Sequence, residues 1–376
     1  MKKCVCISCF DYYSTRMESL IGFLEKEGFE ITYFYADYDH FTKRKNENTY
    51  KYGKSIKVME YKKNLSFQRL YSHYEFSKKI GKQIRIIKPD FIYCVIPPNY
   101  LLRELSGYKK KKPNTKLVYD VYDLWPQSFP YSKKSKLLSI PFSFWGKLRS
   151  KNIAVSDLIL CVSEQGRTLV LPEANNTPVK ILKPVIAAGE MPEYVPSTDK
   201  LSFCYLGMVN HITDMDLGEK LLSRLAEIKP TVLHIIGEGQ NLDEFVQRLK
   251  RRNVDVICHG CIFDRAKKND IFSKCNMGLN IPRDEIDSTM SLKAVEYICA
   301  GLPFINNAKG DIRKIVQEDN VGINYENNIE QIVDKIISME DKAYNEMHEN
   351  CISAYESRFL AQDYADVFDG LLGKNI

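Results

Sequence analysis

The chain is predicted to fold as two α/β domains, each a doubly wound parallel sheet covered by helices, and three observations predict this. Continuous apolar runs alternate with helix-like segments along all 376 residues, as expected for parallel strands covered on both faces. The alternation stops once, at a Pro- and Ala-rich stretch over 184–200, and then restarts. The net charge also changes sign, from +16 over residues 1–186 to −10 over 187–376, which indicates two different surfaces.

The elements of the first half follow in order. Gly28 ends a first helix, and Lys88-Pro-Asp90 separates a long helix from the next strand. Strands are predicted over 4–7, 29–35, 91–96, 116–121, 157–162 and 179–182, and helices over 14–27 and 67–87.

The second half repeats the pattern with shorter helices. Strands are predicted over 202–206, 232–236, 254–258, 277–281 and 304–305, and helices over 217–227, 242–251, 267–273, 291–299 and 311–318. A last helix over about 341–372 is predicted to break near Glu356. The resulting division is 1–186 for the first domain, 187–200 for the linker, 201–355 for the second domain and 356–376 for a terminal helix. Ligands of doubly wound sheets bind at the carboxyl ends of the strands, so the cleft between the domains is the predicted site.

Composition excludes several classes of protein. With 44% hydrophobic and 27% charged residues, the chain is neither disordered nor fibrous. No apolar run approaches the ~18 residues of a spanning helix, and the short run after Lys3 is a first strand rather than a signal peptide. A cytoplasmic protein is therefore expected. The eleven cysteines show no framework spacing, and most stand in apolar runs where a thiol acts as a small hydrophobe: Cys4, Cys6, Cys94, Cys161, Cys204 and Cys299. Cys258-x-x-Cys261 lacks the second pair that a zinc site needs, so no metal or redox site is predicted.

Residues 281–303 carry the most information about chemistry. A helix is predicted to begin after an N-cap at Asp287 or Ser288, with Leu292, Val295 and Cys299 on its buried face. Lys293 and Glu296 then share the other face. A helix N-terminus presents free N–H groups and suits a diphosphate, while the Glu296 carboxylate suits the hydroxyls of a ribose. The alternative is an ordinary i,i+3 ion pair between the two side chains.

The same segment resembles the nucleotide-sugar signature of family 4 glycosyltransferases, which have the GT-B fold, in the subgroup with a Lys three residues before the Glu. Weaker similarity extends over most of the chain, including a strand that ends in Gly-x-Gly, the next strand and loop, and three segments of the first half. The matching residues are Ser291-x-Lys293-x-x-Glu296-Tyr297-x-x-x-Gly301-x-Pro303, Gly237-Glu-Gly239, Val256-Ile-Cys-His-Gly260, Lys88-Pro-Asp-Phe-Ile-Tyr93, Val118-Tyr-Asp-Val-Tyr-Asp-Leu-Trp-Pro126 and Cys161-Val-Ser163.

The resemblance implies a retaining hexosyltransferase that uses a nucleotide-diphosphate sugar, UDP-linked, without a metal. It also implies that the terminal helix crosses back to the first domain, and that the linker lets the cleft close. Asp120, Asp123 and Lys293 are the candidate catalytic residues, although a turn and helix cap would also explain the two aspartates. The candidate donor-binding residues are Glu296, Ser291, Thr289, Ser288, Arg283, Gly207, Asn210, His211, Gly237, Gly239, Gly260 and Arg16.

The sequence departs from the family at four places, one of which is a missing Gly-rich loop after the first strand, where Phe10-Asp-Tyr-Tyr-Ser-Thr-Arg16 stands. Ser288 stands where the family has the first of two glutamates. The stretch Gly207–Asp214 lacks the usual Arg and Lys, so Lys293, Arg283 or Arg16 is expected to supply the charge for the diphosphate. Tyr122-Asp123 replaces a His–Asp pair near the sugar. Two alternatives therefore stay open: a catalytically silent GT-B partner subunit and, with less support, a non-hydrolysing nucleotide-sugar epimerase.

The charge split predicts where the protein works. Residues 40–88 contain 14 basic and three acidic residues with interleaved aromatics, and 133–151 hold an apolar run between basic flanks. Such stretches suit an anionic membrane surface or a phosphate-bearing acceptor, so the expected partners are a nucleotide sugar, a saccharide or lipid-linked saccharide, and the inner face of a plasma membrane, but no nucleic acid. The expected pathway is bacterial surface polysaccharide synthesis. The alternative readings are a solvated Lys-rich surface and a buried 137–145 segment.

Overall fold

Two all-parallel sheets organise the chain in a computed structural model that describes residues 1–10, 14–40, 42–64, 66–125, 136–186, 189–197, 199–284, 290–360 and 364–372. The chain divides into two units, Met1–Lys183 with Gln362–Ile376, and Pro184–Ala361. The first unit has a seven-stranded sheet and the second a six-stranded one. Two doubly wound α/β domains were predicted, and this architecture is confirmed.

The strand order of the first sheet is β3-β2-β1-β4-β5-β6-β7. Strands β2 and β3 lie on one side of β1, and strands β4 to β7 lie on the other, so the strand order reverses between β1 and β4. The strands of the first domain are β1 (Lys3–Ser8), β2 (Glu30–Ala36), β3 (Gly53–Ile56), β4 (Phe91–Ile96), β5 (Lys116–Val121), β6 (Leu158–Cys161) and β7 (Val179–Ile181), and its first helices are α1 (Ser14–Lys26), α2 (Phe67–Ile87), α3 (Asn99–Lys111), α4 (Lys136–Ser150) and α5 (Glu164–Ala174).

The strand order of the second sheet is β10-β9-β8-β11-β12-β13, which reverses between β8 and β11. The elements of the second domain are β8 (Leu201–Leu206), α6 (Met215–Ala226), β9 (Thr231–Ile236), α7 (Leu242–Lys250), β10 (Asp255–Cys258), α8 (Arg265–Phe272), β11 (Met277–Asn280), α9 (Leu292–Cys299), β12 (Phe304–Asn306), α10 (Asp311–Asp319), β13 (Gly322–Asn324), α11 (Ile329–Ile337) and α12 (Asp341–Tyr355), followed by a π-helical turn (Glu356–Leu360). The last helix, α13 (Tyr364–Val367), belongs to the first unit.

The predicted core cysteines are buried. The thiols of the first domain lie in β1, β4 and β6, and those of the second lie in β8 and α9. Burial raises the pKa of Cys299 to about 11, so this thiol stays protonated near neutral pH. A thiol in these positions packs as a small hydrophobe, as predicted.

The chain end packs on the first domain. The Phe23 ring of α1 stacks on Tyr364 at 5.5 Å and on Phe368 at 5.9 Å between ring centroids. Lys180 Nζ also donates to the carbonyl of Asp366 at 2.8 Å. The helical run breaks at Glu356, where the backbone becomes π-helical, as the sequence predicted.

Several elements carry weak sequence signals and were not predicted. The short strands β3 and β13 have four and three residues, and two of the four residues of β3 are exposed. Helices α3, α5 and α11 were also missed. Helix α3 ends in Lys109-Lys110-Lys111, which resembles a solvated loop when only composition is considered.

Candidate functional site

The carboxyl edge of the second sheet is built on a close approach of two loops. Gly237 and Gly239 follow β9 with φ of +151° and +149°, and Cβ atoms there would lie 2.2 Å from the Gly207 carbonyl oxygen and 2.1 Å from that of Val209. Only glycine allows this contact. Main-chain bonds from Gly207 N to Ile236 O and from Val209 N to Glu238 O hold the loops together. These glycines therefore shape the loop after β8.

Helix α9 begins later than the sequence predicted. Its first residue is Leu292, and Ser291 occupies the N-cap position, so the prediction of an N-cap at Asp287 or Ser288 is wrong. Ser288 and Thr289, both predicted to bind the donor, lie outside the described residues. Leu292 is also 39% exposed rather than buried, while Val295 and Cys299 are buried as predicted. The start of α9 therefore lies at Ser291, directly beside the end of β11.

Lys293 lies over the end of β8. Its Nζ donates to the Tyr205 hydroxyl at 2.6 Å, and it lies 4.2 Å from the centre of that ring. A Cβ on Gly207 would lie 3.1 Å from Lys293 Cε. Within the described part of the chain, Lys293 takes part in no ion pair. Its ammonium group is thus placed beside the Gly207 loop with its charge available.

Glu296 lies one turn further along α9 and is already paired. Its carboxylate accepts from Arg265 at 2.5 Å and from Lys268 at 3.0 Å, both on α8. The i,i+3 ion pair with Lys293, which the sequence left open, does not form. A carboxylate offers about four lone-pair sites, so hydroxyl groups can still donate to Glu296 beside the two cations.

The other predicted donor residues are distributed along the same edge. Asn210 Oδ1 accepts from Ile212 N at 3.0 Å, and His211 is exposed beside it. Arg283, after β11, donates through its backbone to Ile212 O at 2.9 Å. Gly260 follows β10 with φ +68° and open space around it. Contacts through Ile212 therefore join Asn210 and Arg283, while Gly260 follows the outer strand.

Asp120 and Arg16 form a buried ion pair in the first domain. Asp120 lies in β5, one residue before the strand ends, and has no exposed surface, while Arg16 of α1 is 2% exposed. Asp120 accepts from Arg16 Nε at 2.5 Å, from Arg16 Nη2 at 2.9 Å and from the Tyr93 hydroxyl. Arg16 also donates to the carbonyls of Leu182 and Lys183.

These contacts correct two predictions. Every polar atom of the pair is bonded inside the domain, so Arg16 is not placed to meet a diphosphate and Asp120 is not placed to meet a sugar. The pair joins α1, β4, β5 and the end of the domain, and its role in this structure is to hold those elements together.

Asp123 belongs to a cluster at the carboxyl edge of the first sheet that sequence reasoning missed. Its Oδ2 accepts from Trp125 Nε1 at 2.6 Å. The Trp125 ring lies 5.6 Å from His73 and 4.1 Å from the Arg69 guanidinium carbon, and Phe10 lies 5.5 Å from His73. Burial and Arg69 hold the pKa of His73 well below its ordinary value, so its imidazole is neutral at physiological pH. The sequence held one signal for this cluster: Arg69, His73 and Ser77 are spaced four residues apart and therefore lie on one face of α2.

Cys258 is the last residue of β10 and Cys261 lies in the loop that follows, as predicted for a strand that runs into a loop. Both thiols are free and exposed. Among the described residues, no group of three or more His, Cys, Asp or Glu side chains is arranged to hold a metal. His259 stacks on His234 at 5.2 Å, and burial, then His259, lowers the pKa of His234 to about 4.

Comparison with solved structures shows which fold this chain has. Sucrose-phosphate synthase from Thermosynechococcus elongatus superposes with a TM-score of 0.68 at 13% identity, over 96% of this chain and 97% of that one. WaaG, a glycosyltransferase involved in lipopolysaccharide biosynthesis, gives 0.67 at 13% identity, over 98% and 100%. Anabaena HepE in complex with UDP and glucose gives 0.64 at 12% identity, over 96% of each chain. At these identities the likeness concerns the fold, which is GT-B.

The family model described as "Glycosyl transferases group 1" matches residues 202–341. No curated protein matches the chain. The matched residues lie in the second domain and make up less than half of the chain, so the match shows a glycosyl transferases group 1 domain there, within a chain of GT-B fold.

Proposed function

We propose that this protein moves a hexose from a UDP-linked sugar to a saccharide or lipid-linked saccharide, with retention of anomeric configuration and without a metal. The second domain would bind the donor and the first domain the acceptor. The site of action would be the cytoplasmic face of a bacterial membrane, in surface polysaccharide synthesis. HepE, a fold neighbour, was solved with UDP-glucose, and WaaG acts in lipopolysaccharide biosynthesis, which supports these choices of substrate and pathway.

One observation carries the donor assignment: Lys293 and the start of α9 lie together beside the Gly207 loop. The first N–H groups of a helix have no intrahelical partner and sit at the positive end of its dipole. Lys293 adds a full positive charge that no described carboxylate neutralises. Departure of a nucleoside diphosphate develops negative charge on its oxygens, and preorganised donors that meet this charge lower the barrier.

Glu296 supports the same assignment from one turn further along. A ribose presents two neighbouring hydroxyls, and a carboxylate accepts from both. Arg265 and Lys268 keep the Glu296 carboxylate in one orientation through contacts of 2.5 and 3.0 Å. The carboxylate is thus already oriented before a ligand arrives, which lowers the entropic cost of binding.

Asp123 supports the acceptor assignment to the first domain. Its side chain is only partly buried, and its Oδ2 accepts from Trp125 Nε1. The rings of Trp125, His73 and Phe10 are buried against one another, so they hold this edge of the sheet in place rather than offer a face to a sugar. Asp123 is therefore retained as the candidate that orients an acceptor hydroxyl.

The membrane proposal rests on a groove of about 480 Å³ that joins the two sequence stretches predicted to meet a bilayer. Phe67, Tyr71 and Tyr74 of α2 line it, with Phe144 and Trp145 of α4 and Tyr100 of α3. Phe67 is 87% exposed. Further along the same helix pair, a basic cavity of about 260 Å³ is lined by Lys78, Arg85, Arg103 and Lys111 around Glu104. Aromatic rings suit the headgroup region, and each nearby cation adds ~1 kcal/mol of attraction to anionic lipid.

Vesicle co-sedimentation tests this contact. The full chain should bind anionic but not neutral vesicles, and high salt should release it. Phe67→Ser with Tyr71→Ser should weaken binding, whereas Phe263→Ser, an exposed Phe of the second domain, should not. Failure of the chain to bind anionic vesicles at low salt would leave a freely diffusing saccharide as the acceptor.

Turnover tests the transfer itself. The full chain is mixed with a panel of UDP-sugars and saccharide acceptors, and UDP release is followed, with the anomeric configuration of the product read by NMR. Transfer with retention supports the proposal. Thermal stabilisation by UDP without any turnover would instead favour a catalytically silent GT-B subunit, a reading to which Ser288 in place of the family's first glutamate already points.

No helix among the described residues is both long enough and apolar enough to cross a bilayer.

A further inference from the structure

Three asparagines end the last three strands of the second sheet. Asn280 closes β11, Asn306 closes β12 and Asn324 closes β13. They are direct neighbours in the strand register, with Asn280 opposite Asn306 and Asn306 opposite Asn324. Asn280 and Asn306 are buried, where an amide is costly unless it is fully bonded. We call this row the amide ladder.

The ladder is a continuous chain of hydrogen bonds that all point the same way. Ser291 Oγ donates to Asn280 Oδ1 at 2.7 Å, and Asn280 Nδ2 donates to Asn306 Oδ1 at 2.7 Å. Asn306 Nδ2 then donates to Asn324 Oδ1 at 2.8 Å, and Asn324 Nδ2 to the carbonyl of Arg313 at 2.9 Å. Bonds aligned in this way strengthen one another.

Main-chain groups fix the direction of the chain. Ala308 N donates to Asn306 Oδ1 at 3.1 Å, and Ala308 O accepts from Asn306 Nδ2 at 2.9 Å. Turning the Asn306 amide over would set donor against donor and oxygen against oxygen at both contacts. With Asn306 fixed, Asn280 must offer its oxygen to Ser291, and Ser291 must donate.

We infer that the amide ladder positions the start of α9 and directs the Ser291 hydroxyl hydrogen into the protein. This inference rests on the proposed donor site. A hydroxyl has one hydrogen, so Ser291 presents only lone pairs towards a ligand. An ionised phosphate offers only acceptors, hence Ser291 does not bond to the diphosphate. Ser291 is a positioning residue, and the diphosphate is left to the main-chain N–H groups and to Lys293.

A double-mutant cycle on UDP affinity tests this inference. Ser291→Ala and Asn280→Ala each cut the connection, so each should weaken UDP binding by about fivefold to tenfold. Because they break the same bond, the double variant should bind no more weakly than the worse single variant. Ser291→Thr keeps the hydroxyl and should stay within about twofold of wild type. If the two effects multiply, or if Asn280→Ala binds like wild type while Ser291→Ala does not, Ser291 contacts the ligand directly and the inference is wrong.

Asn276 supplies the matched control. It is buried at the opposite end of the same strand, where its side chain bonds to Ser202 N and Ser197 O at 2.8 Å. Asn276→Ala should lower the unfolding temperature as much as Asn280→Ala but leave UDP affinity unchanged. An equal loss of affinity in both variants would mean that general destabilisation, rather than the ladder, weakens binding.

Hydrogen exchange without ligand separates this inference from the proposed function. Asn280→Ala should speed amide exchange in a peptide that covers the start of α9, relative to a peptide from α7. Unchanged exchange would refute the positioning role, whatever the protein binds. Faster exchange in a chain that fails to bind UDP would confirm the positioning role and remove the proposed donor instead.

Discussion

Substitution of Asp120 by Asn is the sharpest test of the structural role that the buried pair has in this account. Asp120 has no exposed surface and accepts three hydrogen bonds, two from Arg16 and one from Tyr93. Its neutral replacement keeps one acceptor oxygen but leaves the buried Arg16 charge without a counter-charge, beside the carbonyls of Leu182 and Lys183. Breaking one side of a buried pair costs about 3–5 kcal/mol. For a domain of this size that is a fall of roughly 6–20 °C in unfolding temperature.

Two measurements on the full chain show the effect: its thermal unfolding, and hydrogen exchange of the backbone amides of β5. Glu164→Gln is the control, since Arg167–Glu164 is an exposed ion pair in the same domain and is worth about 1 kcal/mol or less. Arg16→Met with Asp120→Leu removes both charges and should recover most of the lost stability. An Asp120→Asn protein that unfolds like wild type but has lost transferase activity would refute the structural role and restore the catalytic one.

Three further predictions follow from the described contacts. Lys293→Ala should lower kcat by about a hundredfold with little change in unfolding temperature, because it removes a group that meets developing charge. UDP release measures kcat, and unchanged turnover would exclude a catalytic role for Lys293. Gly239→Ala places a Cβ 2.1 Å from the Val209 carbonyl oxygen and should destabilise the second domain by more than Gly260→Ala, which meets no atom; equal unfolding temperatures would contradict the close packing. Burial, then Arg69 and Lys43, lowers the pKa of His40 to about 3. The first domain should therefore lose stability as the pH falls from 6.5 towards 3, because only the unfolded chain binds the proton there. His40→Gln should reduce this dependence of the unfolding temperature on pH, and an unchanged dependence would contradict the prediction.

Sequence reasoning succeeded where local signals decide structure. The bounds of α2, β4 and β5 agree with prediction because apolar runs there meet Pro, Asp or Lys at their ends. Lys293 and Glu296 lie together on the partly exposed face of α9, as the i,i+3 spacing requires.

It failed where residues far apart in the chain meet. Arg16 and Asp120 are 104 positions apart, and nothing near either residue indicates that each neutralises the other. Arg265 and Lys268 reach Glu296 from α8, so the spacing within α9 could not show which cation pairs with that carboxylate. Asn280, Asn306 and Asn324 each look like an ordinary strand end, and only the sheet register aligns them.

The measurement that tests the central claim most directly is UDP-sugar turnover by the wild-type chain beside Lys293→Ala. We expect one member of a UDP-sugar panel to stabilise both proteins against heat. The wild type should release UDP in the presence of a saccharide acceptor, and Lys293→Ala should release it about a hundredfold more slowly. Equal turnover by the two proteins, or no stabilisation of the wild type by UDP or any UDP-sugar, would contradict a donor site at the start of α9.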